Sequence, residues 1–209
     1  MRGHKGALAT VCLFSAFLAL PLTASAQPFV GLGLGYGSIN LETEATVTTA
    51  TGVGSASEDD NEAAPAIQFT AGVDRDASRT YGLLKVLPYE DAIVSVLGVS
   101  HDWKFGDGPL KPFLGVSLGL AMLRWTEDVE VEGVTSFDTE DETASSLGLG
   151  AQAGVLYDVD DSLSVEAGLR FLATDLSTEL SFTEPGAAYE VEQTVESLVS
   201  VTVGFNYRF

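Results

Sequence analysis

The chain ends in a segment, Leu198–Phe209, in which apolar and polar residues alternate. Positions 199, 201, 203, 205, 207 and 209 are all valine, phenylalanine or tyrosine, and the residues between them are small or polar. Successive side chains of a strand point to opposite faces, so the segment predicts a strand with one apolar and one polar face. Three aromatic residues close the apolar face, which is typical of transmembrane β-barrels, where that face meets lipid.

Seven further segments have strand character, and no window outside the N-terminal segment keeps a helical period. The eight predicted strands are Phe29–Leu41, Pro65–Asp74, Thr80–Leu87, Ala92–Phe105, Lys111–Trp125, Thr143–Tyr157, Ser162–Thr174 and Thr194–Phe209. The glycines of the first strand, Gly31, Gly33, Gly35 and Gly37, share one parity. This favours the narrow interior of a small barrel over bulges in a soluble sheet.

The connections between these strands differ in length. Those after even-numbered strands are short and carry turn residues: Arg75–Arg79, Gly106–Pro109 and Asp158–Asp161. Three of the four after odd-numbered strands are long and acidic, namely Glu42–Ala64, Glu127–Glu142 and Asp175–Gln193, while Pro88–Asp91 is short. This asymmetry predicts an all-β fold, an eight-stranded antiparallel up-and-down transmembrane β-barrel. A soluble secreted β-sandwich is the alternative, although the apolar face of the last strand then lacks a partner layer.

The front of the chain predicts a signal peptide over residues 1–26, which leaves residues 27–209 as the barrel domain. Arg2 and Lys5 precede an apolar stretch, and Ala24-Ser25-Ala26 is a small-residue cleavage site. The apolar stretch is interrupted by Pro21 and is shorter than the roughly twenty residues that a spanning helix needs. Cleavage would also remove Cys12, the one cysteine, so no disulfide is expected in the barrel.

Acidic residues dominate the predicted barrel domain. It keeps eight of the ten basic residues and all thirty acidic ones, which gives a formal charge of −22 and argues against a nucleic-acid partner. Two acidic clusters lie in the long connections; they are Glu127, Asp128, Glu130, Glu132, Asp138, Glu140, Asp141 and Glu142, and Glu58, Asp59, Asp60 and Glu62. They lack the spacing of a defined calcium loop, so a solvated acidic surface and no cofactor are expected. Weak binding of divalent cations that bridge to lipopolysaccharide phosphates remains open.

The polar faces of the strands predict a network inside the barrel. Its expected members are Asp74, Lys104, Gln152, Glu166, Arg170, Glu196 and Arg208. Buried charges need partners, but the sequence does not rank the possible pairs. Lys85 is also expected inside, because a lysine facing lipid at the midplane costs about 2–4 kcal/mol. Since eight strands leave an interior just filled by side chains, a structural network is favoured over a pathway for solutes.

His101 is the one histidine that follows the predicted signal peptide. It shares the parity of Trp103 and Phe105 and lies near a short turn, so it is expected in an aromatic girdle at the membrane boundary. A general base needs a nucleophile within hydrogen-bond reach, and no motif in the sequence marks one. The sequence therefore predicts that the protein is not an enzyme and has no catalytic residue.

Three segments, Pro112–Leu120, Gly150–Phe171 and Val203–Phe209, resemble the OmpA-like outer-membrane β-barrel superfamily of Gram-negative bacteria. The resemblance implies a stand-alone, monomeric small barrel of the OmpX or OmpW general type, in contact with outer-membrane lipid and lipopolysaccharide. It also implies that the barrel assembly machinery recognises the final strand, through Val203, Phe205, Tyr207 and Phe209. The expected role is structural or one of surface interaction, and the alternative is a narrow porin-like channel for small or apolar solutes.

Overall fold

The computed structural model of the protein describes residues 26–49, 52–89, 92–125, 143–184 and 187–209. Its eight strands are β1 (Gln27–Thr49), β2 (Gly52–Asp74), β3 (Ser78–Pro88), β4 (Ala92–Lys104), β5 (Leu110–Trp125), β6 (Thr143–Asp158), β7 (Leu163–Glu184) and β8 (Ala187–Arg208). Each strand pairs antiparallel with the next, and β8 pairs with β1 to close the barrel. The predicted eight-stranded antiparallel barrel is confirmed.

Two predicted features lie outside the described residues: the signal peptide, apart from Ala26, and the acidic connection Glu127–Glu142. Across the ranges that are described, no helix has the length and apolar character needed to cross a membrane.

Four strands, β1, β2, β7 and β8, extend at least seven residues beyond one of their predicted ends. The expected connections Glu42–Ala64 and Asp175–Gln193 are wrong, because β1 and β2 pair as far as Thr49 with Gly52, and β7 and β8 as far as Glu184 with Ala187. Residues 42–49, 52–64, 175–184 and 187–196 form a four-stranded sheet in the order β2-β1-β8-β7, called here the acidic extension. A strand outside a membrane needs no apolar face, so its backbone pairing continues where the hydrophobic signal stops.

The opposite end of the barrel, called here the turn end, is closed by the three predicted short turns. Gly106 adopts a positive φ of 89° in the turn between β4 and β5, a conformation that residues with a Cβ rarely take. In the turn between β6 and β7, Asp160 Oδ1 accepts hydrogen bonds of 2.8 Å from the backbone N–H groups of Ser162 and Leu163. Such side-chain capping is the reason that aspartate favours tight turns.

The outer wall of the barrel is apolar. Large exposed hydrophobic residues include Val30, Leu34, Phe69, Leu114, Val116, Leu118, Leu149, Leu169, Phe171, Val201 and Val203. Trp103, Phe105, Tyr157, Tyr207 and Phe209 are also exposed and lie near the turn end. Even the shortest strand, β3 with 11 residues, is long enough to cross a bilayer when tilted. The wall therefore carries an apolar band and an aromatic collar.

The interior of the barrel divides into a polar half at the turn end and an apolar half toward the acidic extension. The apolar half, called here the apolar plug, consists of Ile39, Ala64, Ala66, Leu87, Ala92, Val94, Val96, Ala121, Leu123, Leu172, Leu176, Val195 and Leu198. Glycine makes room for this packing: a Cβ on Gly37 would overlap Cδ2 of Leu87, a member of the plug. The glycine parity in β1 thus marks the interior face, as predicted.

A bulge in β8 separates the barrel from the acidic extension. Ser197 pairs with Asn40 and Val195 with Leu41, which leaves Glu196 without an opposite residue on β1. Val195 and Leu198 are both buried although they lie three positions apart, so the bulge exchanges the inner and outer faces of β8. Parity counted from the C-terminus is consequently reversed beyond this point.

Candidate functional site

Charged side chains of alternating sign line the interior at the turn end. Arg208 joins two carboxylates: its Nη1 lies 3.3 Å from Asp74 Oδ2 and its Nη2 lies 2.7 Å from Asp158 Oδ1. Lys104 Nζ donates to Asp74, and Lys111 Nζ lies 2.7 Å from Asp158 Oδ2. These five residues, the turn-end ring, tie together β2, β4, β5, β6 and β8 by ion pairs that remain partly open to solvent.

Deeper in the interior, Arg79 on β3 bridges a carboxylate on the neighbouring strand and one across the barrel. Its Nε lies 2.6 Å from Asp102 Oδ2 on β4, and its Nη1 lies 2.6 Å from Glu166 Oε2 on β7. The guanidinium carbon also lies 4.6 Å from the centre of the Phe113 ring and 5.0 Å from that of Tyr81. Such charge-assisted hydrogen bonds, with an aromatic face nearby, are the means by which a buried arginine offsets its lost hydration.

Two side-chain amides and a second arginine complete this layer. Gln152 Nε2 donates to Asp102 and, over 3.0 Å, to the Tyr81 hydroxyl. Arg170 Nη2 donates to the same hydroxyl over 3.1 Å. Asn206 Nδ2 donates over 3.1 Å to Glu166 Oε2. Tyr81 and the two carboxylates are thus shared acceptors, which couples β3, β4, β6, β7 and β8 in one network.

The structure brings together six of the seven residues that the sequence assigns to the interior: Asp74 and Lys104 with Arg208 at the turn end, and Gln152, Glu166 and Arg170 in the deeper layer. The seventh assignment, Glu196, is wrong. Its side chain is exposed at the bulge in β8, where the alternation used to place it changes face. Lys85, also expected inside, is 1% exposed.

The sequence does not assign three members of the deeper layer to the interior: Arg79, Asp102 and Tyr81. Arg79 was assigned to a turn, whereas β3 already begins at Ser78. Asp102 has the parity of Ser100 and Lys104 on β4, and that signal could have found it. The alternation pattern counts Tyr81 as an apolar residue, whereas its hydroxyl accepts hydrogen bonds inside the network. The side chain is fully buried.

The interior is filled by side chains. Two small cavities of about 10 Å³ each are present, one beside Lys85 and Arg170 and the other beside Gln68 and Glu166. Each is close to the smallest space that holds one water molecule. Between the deeper layer and the acidic extension, the apolar plug occupies the remaining cross-section.

His101 lies on the outer wall, as its parity predicts. Its ring packs against that of Trp103 with the ring centres 4.8 Å apart, and a 2.8 Å hydrogen bond joins its Nδ1 to the Thr80 hydroxyl. The side chain therefore belongs to the aromatic collar and faces away from the network inside the barrel.

Acidic residues oppose one another on neighbouring strands of the acidic extension. Glu44 on β1 pairs in register with Glu192 on β8, which pairs with Glu179 on β7. Like charges directly opposite each other destabilise a sheet. Among the residues that the structure describes, no group of three His, Cys, Asp or Glu side chains is arranged to hold a metal ion. The side chains of Glu58, Asp59 and Asp60 and the whole of the Glu127–Glu142 cluster lie outside that description, so cation binding there stays a prediction.

Comparison with known proteins identifies relatives of this barrel. The sequence model described as "Opacity family porin protein" matches residues 81–209. The outer-membrane protein OprG of Pseudomonas aeruginosa has a similar structure, with a TM-score of 0.56 and 13% identity over 88% of this chain and 97% of OprG. OprH of the same organism matches with a TM-score of 0.48 and 21% identity over 88% of this chain and 99% of OprH. Neisserial surface protein A matches with a TM-score of 0.47 and 19% identity over 83% of this chain and 97% of that protein. No curated protein sequence matches the chain.

Proposed function

The chain belongs to the opacity family of porin proteins, and from that premise we propose that this outer-membrane β-barrel acts through its exposed surface and does not conduct solutes. The packed interior carries this proposal. A porin needs a continuous aqueous path, whereas an eight-stranded barrel has an interior just wide enough to be filled by side chains.

Two successive layers support a closed interior. Near the turn end, Arg79 reaches from β3 to Glu166 on β7, so an ion pair lies across the path that a solute would take. Beyond it, the apolar plug includes Leu87, Leu172 and Leu198, which are 0–2% exposed. An ion crossing the plug would lose its hydration without meeting a polar group, which is costly in an apolar environment.

The acidic extension is the surface that we propose for interaction. Residues 42–64 and 175–196 contain twelve aspartates and glutamates and no lysine or arginine. Glu44, Asp175 and Glu196 are exposed there. A negatively charged surface repels anions and attracts cationic groups over about a Debye length, roughly 8–10 Å at physiological salt. We propose that it contacts the environment of the cell, with divalent cations screening it from lipopolysaccharide phosphates.

The proposed role is non-enzymatic and needs no cofactor. The partners that we propose are outer-membrane lipid and lipopolysaccharide around a monomeric barrel, and the barrel assembly machinery during insertion. Val203, Phe205, Tyr207 and Phe209 support the last proposal, because all four are exposed, the first three on the outer face of β8 and the last directly after it. Cleavage of residues 1–26 during export is part of the same proposal.

Planar-bilayer recording tests the closed interior. Protein that has been shown to be folded by heat-modifiable gel mobility should add no reproducible conductance steps, under conditions in which a large porin opens readily. Swelling of vesicles that contain the protein extends the test to uncharged solutes. Regular openings or selective swelling would contradict the proposal and favour a narrow channel for small or apolar solutes.

Labelling of intact cells tests which surface faces outward. Val53→Cys lies in the acidic extension, and Asp107→Cys lies in a short turn at the other end, so the pair forms a matched control. We expect a membrane-impermeant maleimide to label the first variant on whole cells and the second only after lysis. Labelling of the Asp107→Cys variant alone on whole cells would reverse the orientation.

A further inference from the structure

One edge of the acidic extension has a neighbouring strand on one side only. The ladder between β2 and β3 ends where Ile67 pairs with Val86, and β3 itself ends at Pro88. Residues 52–63 of β2, called here the open edge, lie beyond that point and pair with β1 alone in the described part of the chain. The free side of such a strand presents unpaired N–H and C=O groups, which are a template for pairing with another strand.

The open edge lacks the features by which proteins usually block such a strand. Bulges, lysine and proline serve this purpose in natural sheets. Residues 52–63 contain no lysine or proline, and their pairing with β1 continues without a bulge. The tip is uncrowded as well, since a Cβ on Gly52 or Gly54 would meet no atom within 4 Å. No described residue therefore obstructs a further strand beside β2.

The charges of the open edge restrict which strand can pair there. It holds Glu58, Asp59, Asp60 and Glu62 and no basic residue. Positions 58, 60 and 62 are two apart, so they occupy one face of β2. Two copies in one membrane would align their open edges in parallel and at the same level, which brings each carboxylate near its own counterpart. Like charges in that arrangement destabilise a sheet, so a second copy is a poor partner.

We propose that the open edge binds an extended polypeptide segment in which every second residue is basic, as an added strand beside β2. This rests on the proposed function, which assigns interaction to the acidic extension, and it names the class of partner. In such strand addition, backbone hydrogen bonds supply affinity and side chains at alternate positions supply specificity. An added strand places every second side chain on the face of positions 58, 60 and 62, so the basic residues of the partner recur at that spacing.

Synthetic peptides test the spacing. The probe is a peptide of about ten residues in which lysine and threonine alternate, and its isomer carries the same residues as one lysine block and one threonine block. The folded protein in lipid nanodiscs should bind the alternating peptide about tenfold more tightly than the isomer of equal charge. Asp60→Lys should weaken this binding about tenfold, whereas Asp107→Lys, the same change of charge in a turn at the other end, should change it less than about twofold.

Amide hydrogen exchange tests the strand pairing itself. The alternating peptide should slow exchange at alternate N–H groups of the open edge, those that point away from β1, and leave the turn at Gly106 unchanged. N-methylation of the peptide backbone removes its donors and should abolish both the protection and the preference for alternation.

Three results would overturn the proposal: absence of peptide binding, equal binding of the two isomers, or binding that protects no amide of the open edge. Protection that appears without peptide as the protein concentration rises would identify a second copy as the occupant and would overturn it too. Equal binding of the isomers would still agree with an interaction through the acidic surface. The proposed function itself fails on different results, namely channel openings in planar bilayers or reversed labelling of the two ends.

Discussion

Arg79 Nη1 on β3 lies 2.6 Å from Glu166 Oε2 on β7, so this ion pair joins strands that are four apart in an eight-stranded closed sheet. The two side chains therefore meet across the full width of the barrel. Because Arg79 also bonds Asp102, and Glu166 also accepts from Asn206, the pair connects both sides of the network that occupies the polar half of the interior.

Glu166→Gln should destabilise the barrel by about 3 kcal/mol, because removal of one partner leaves the buried guanidinium of Arg79 short of a counter-charge. The double variant Arg79→Met/Glu166→Gln should lose less than the sum of the two single changes, which is the sign of a direct interaction. Urea unfolding in lipid vesicles, followed by tryptophan fluorescence, measures these free energies.

Lys111→Met is the control for that experiment. Lys111 pairs with Asp158 at the turn end, where both side chains are 20% exposed, so its removal should cost less than about 1 kcal/mol. Equal losses of unfolding free energy in Glu166→Gln and Lys111→Met would show that the cross-barrel pair stabilises the barrel no more than the partly exposed pair does.

Gly35→Ala should lower the stability by about 1–3 kcal/mol, the usual cost of forcing an extra carbon into a packed interior. The added Cβ would meet the backbone of β8 at Val201 and Thr202, which cannot move without breaking the ladder between β1 and β8. Gly54→Ala in the acidic extension meets no atom within 4 Å and should change stability by less than about 0.5 kcal/mol. The temperature at which heat-modifiable mobility is lost compares the two, and a larger loss for Gly54→Ala would contradict the packing described here.

Asp160 gives a prediction for pH. Hydrogen bonds from the Ser162 hydroxyl, and then from the backbone N–H groups of Ser162 and Leu163, lower the pKa of the Asp160 carboxyl below its ordinary value. A carboxylate with a lowered pKa contributes stability that is present above the ordinary pKa and is lost as the pH falls through the folded-state pKa. The contribution of this turn should therefore be intact at neutral pH and disappear only in strong acid.

Carboxyl carbon chemical shifts measured over a pH series test the origin of this shift. Ser162→Ala removes the hydroxyl donor and keeps the backbone ones, so the pKa of Asp160 should rise toward its ordinary value in this variant. Coincident titration curves for wild type and variant would exclude the hydroxyl as the main cause.

Alternation along the strands was enough to predict the closed barrel and the inner and outer faces of most strands. It placed His101 outside, because that position depends only on counting by two, whereas Lys85 was placed inside by the cost of exposing a lysine to lipid. It failed for Glu196, since one extra residue in β8 reverses the count and nothing in the local sequence marks that residue as a bulge. The ends that alternation predicts for β1 and β7 also come too early in the chain, because strands beyond the membrane lose the apolar face that identifies them.

The pairing of charges could not be obtained in the same way. The sequence does not rank the partners of Glu166 and Arg170; in the structure Glu166 meets Arg79 across the barrel, and Arg170 meets Tyr81 and Ser100. Which side chains share a level depends on the stagger of all eight strands around the closed sheet, a property of the whole ladder. A single sequence specifies the faces of strands more directly than it specifies this stagger.

The location of the apolar wall in lipid is tested most directly by nitroxide labels at Leu118→Cys on β5 and Val53→Cys in the acidic extension, which are 48% and 70% exposed as leucine and valine. In vesicles, we predict that the label at 118 collides preferentially with oxygen, which dissolves in hydrocarbon, and the label at 53 with a water-soluble nickel complex. Preferential collision of both labels with the nickel complex would contradict a membrane-spanning barrel.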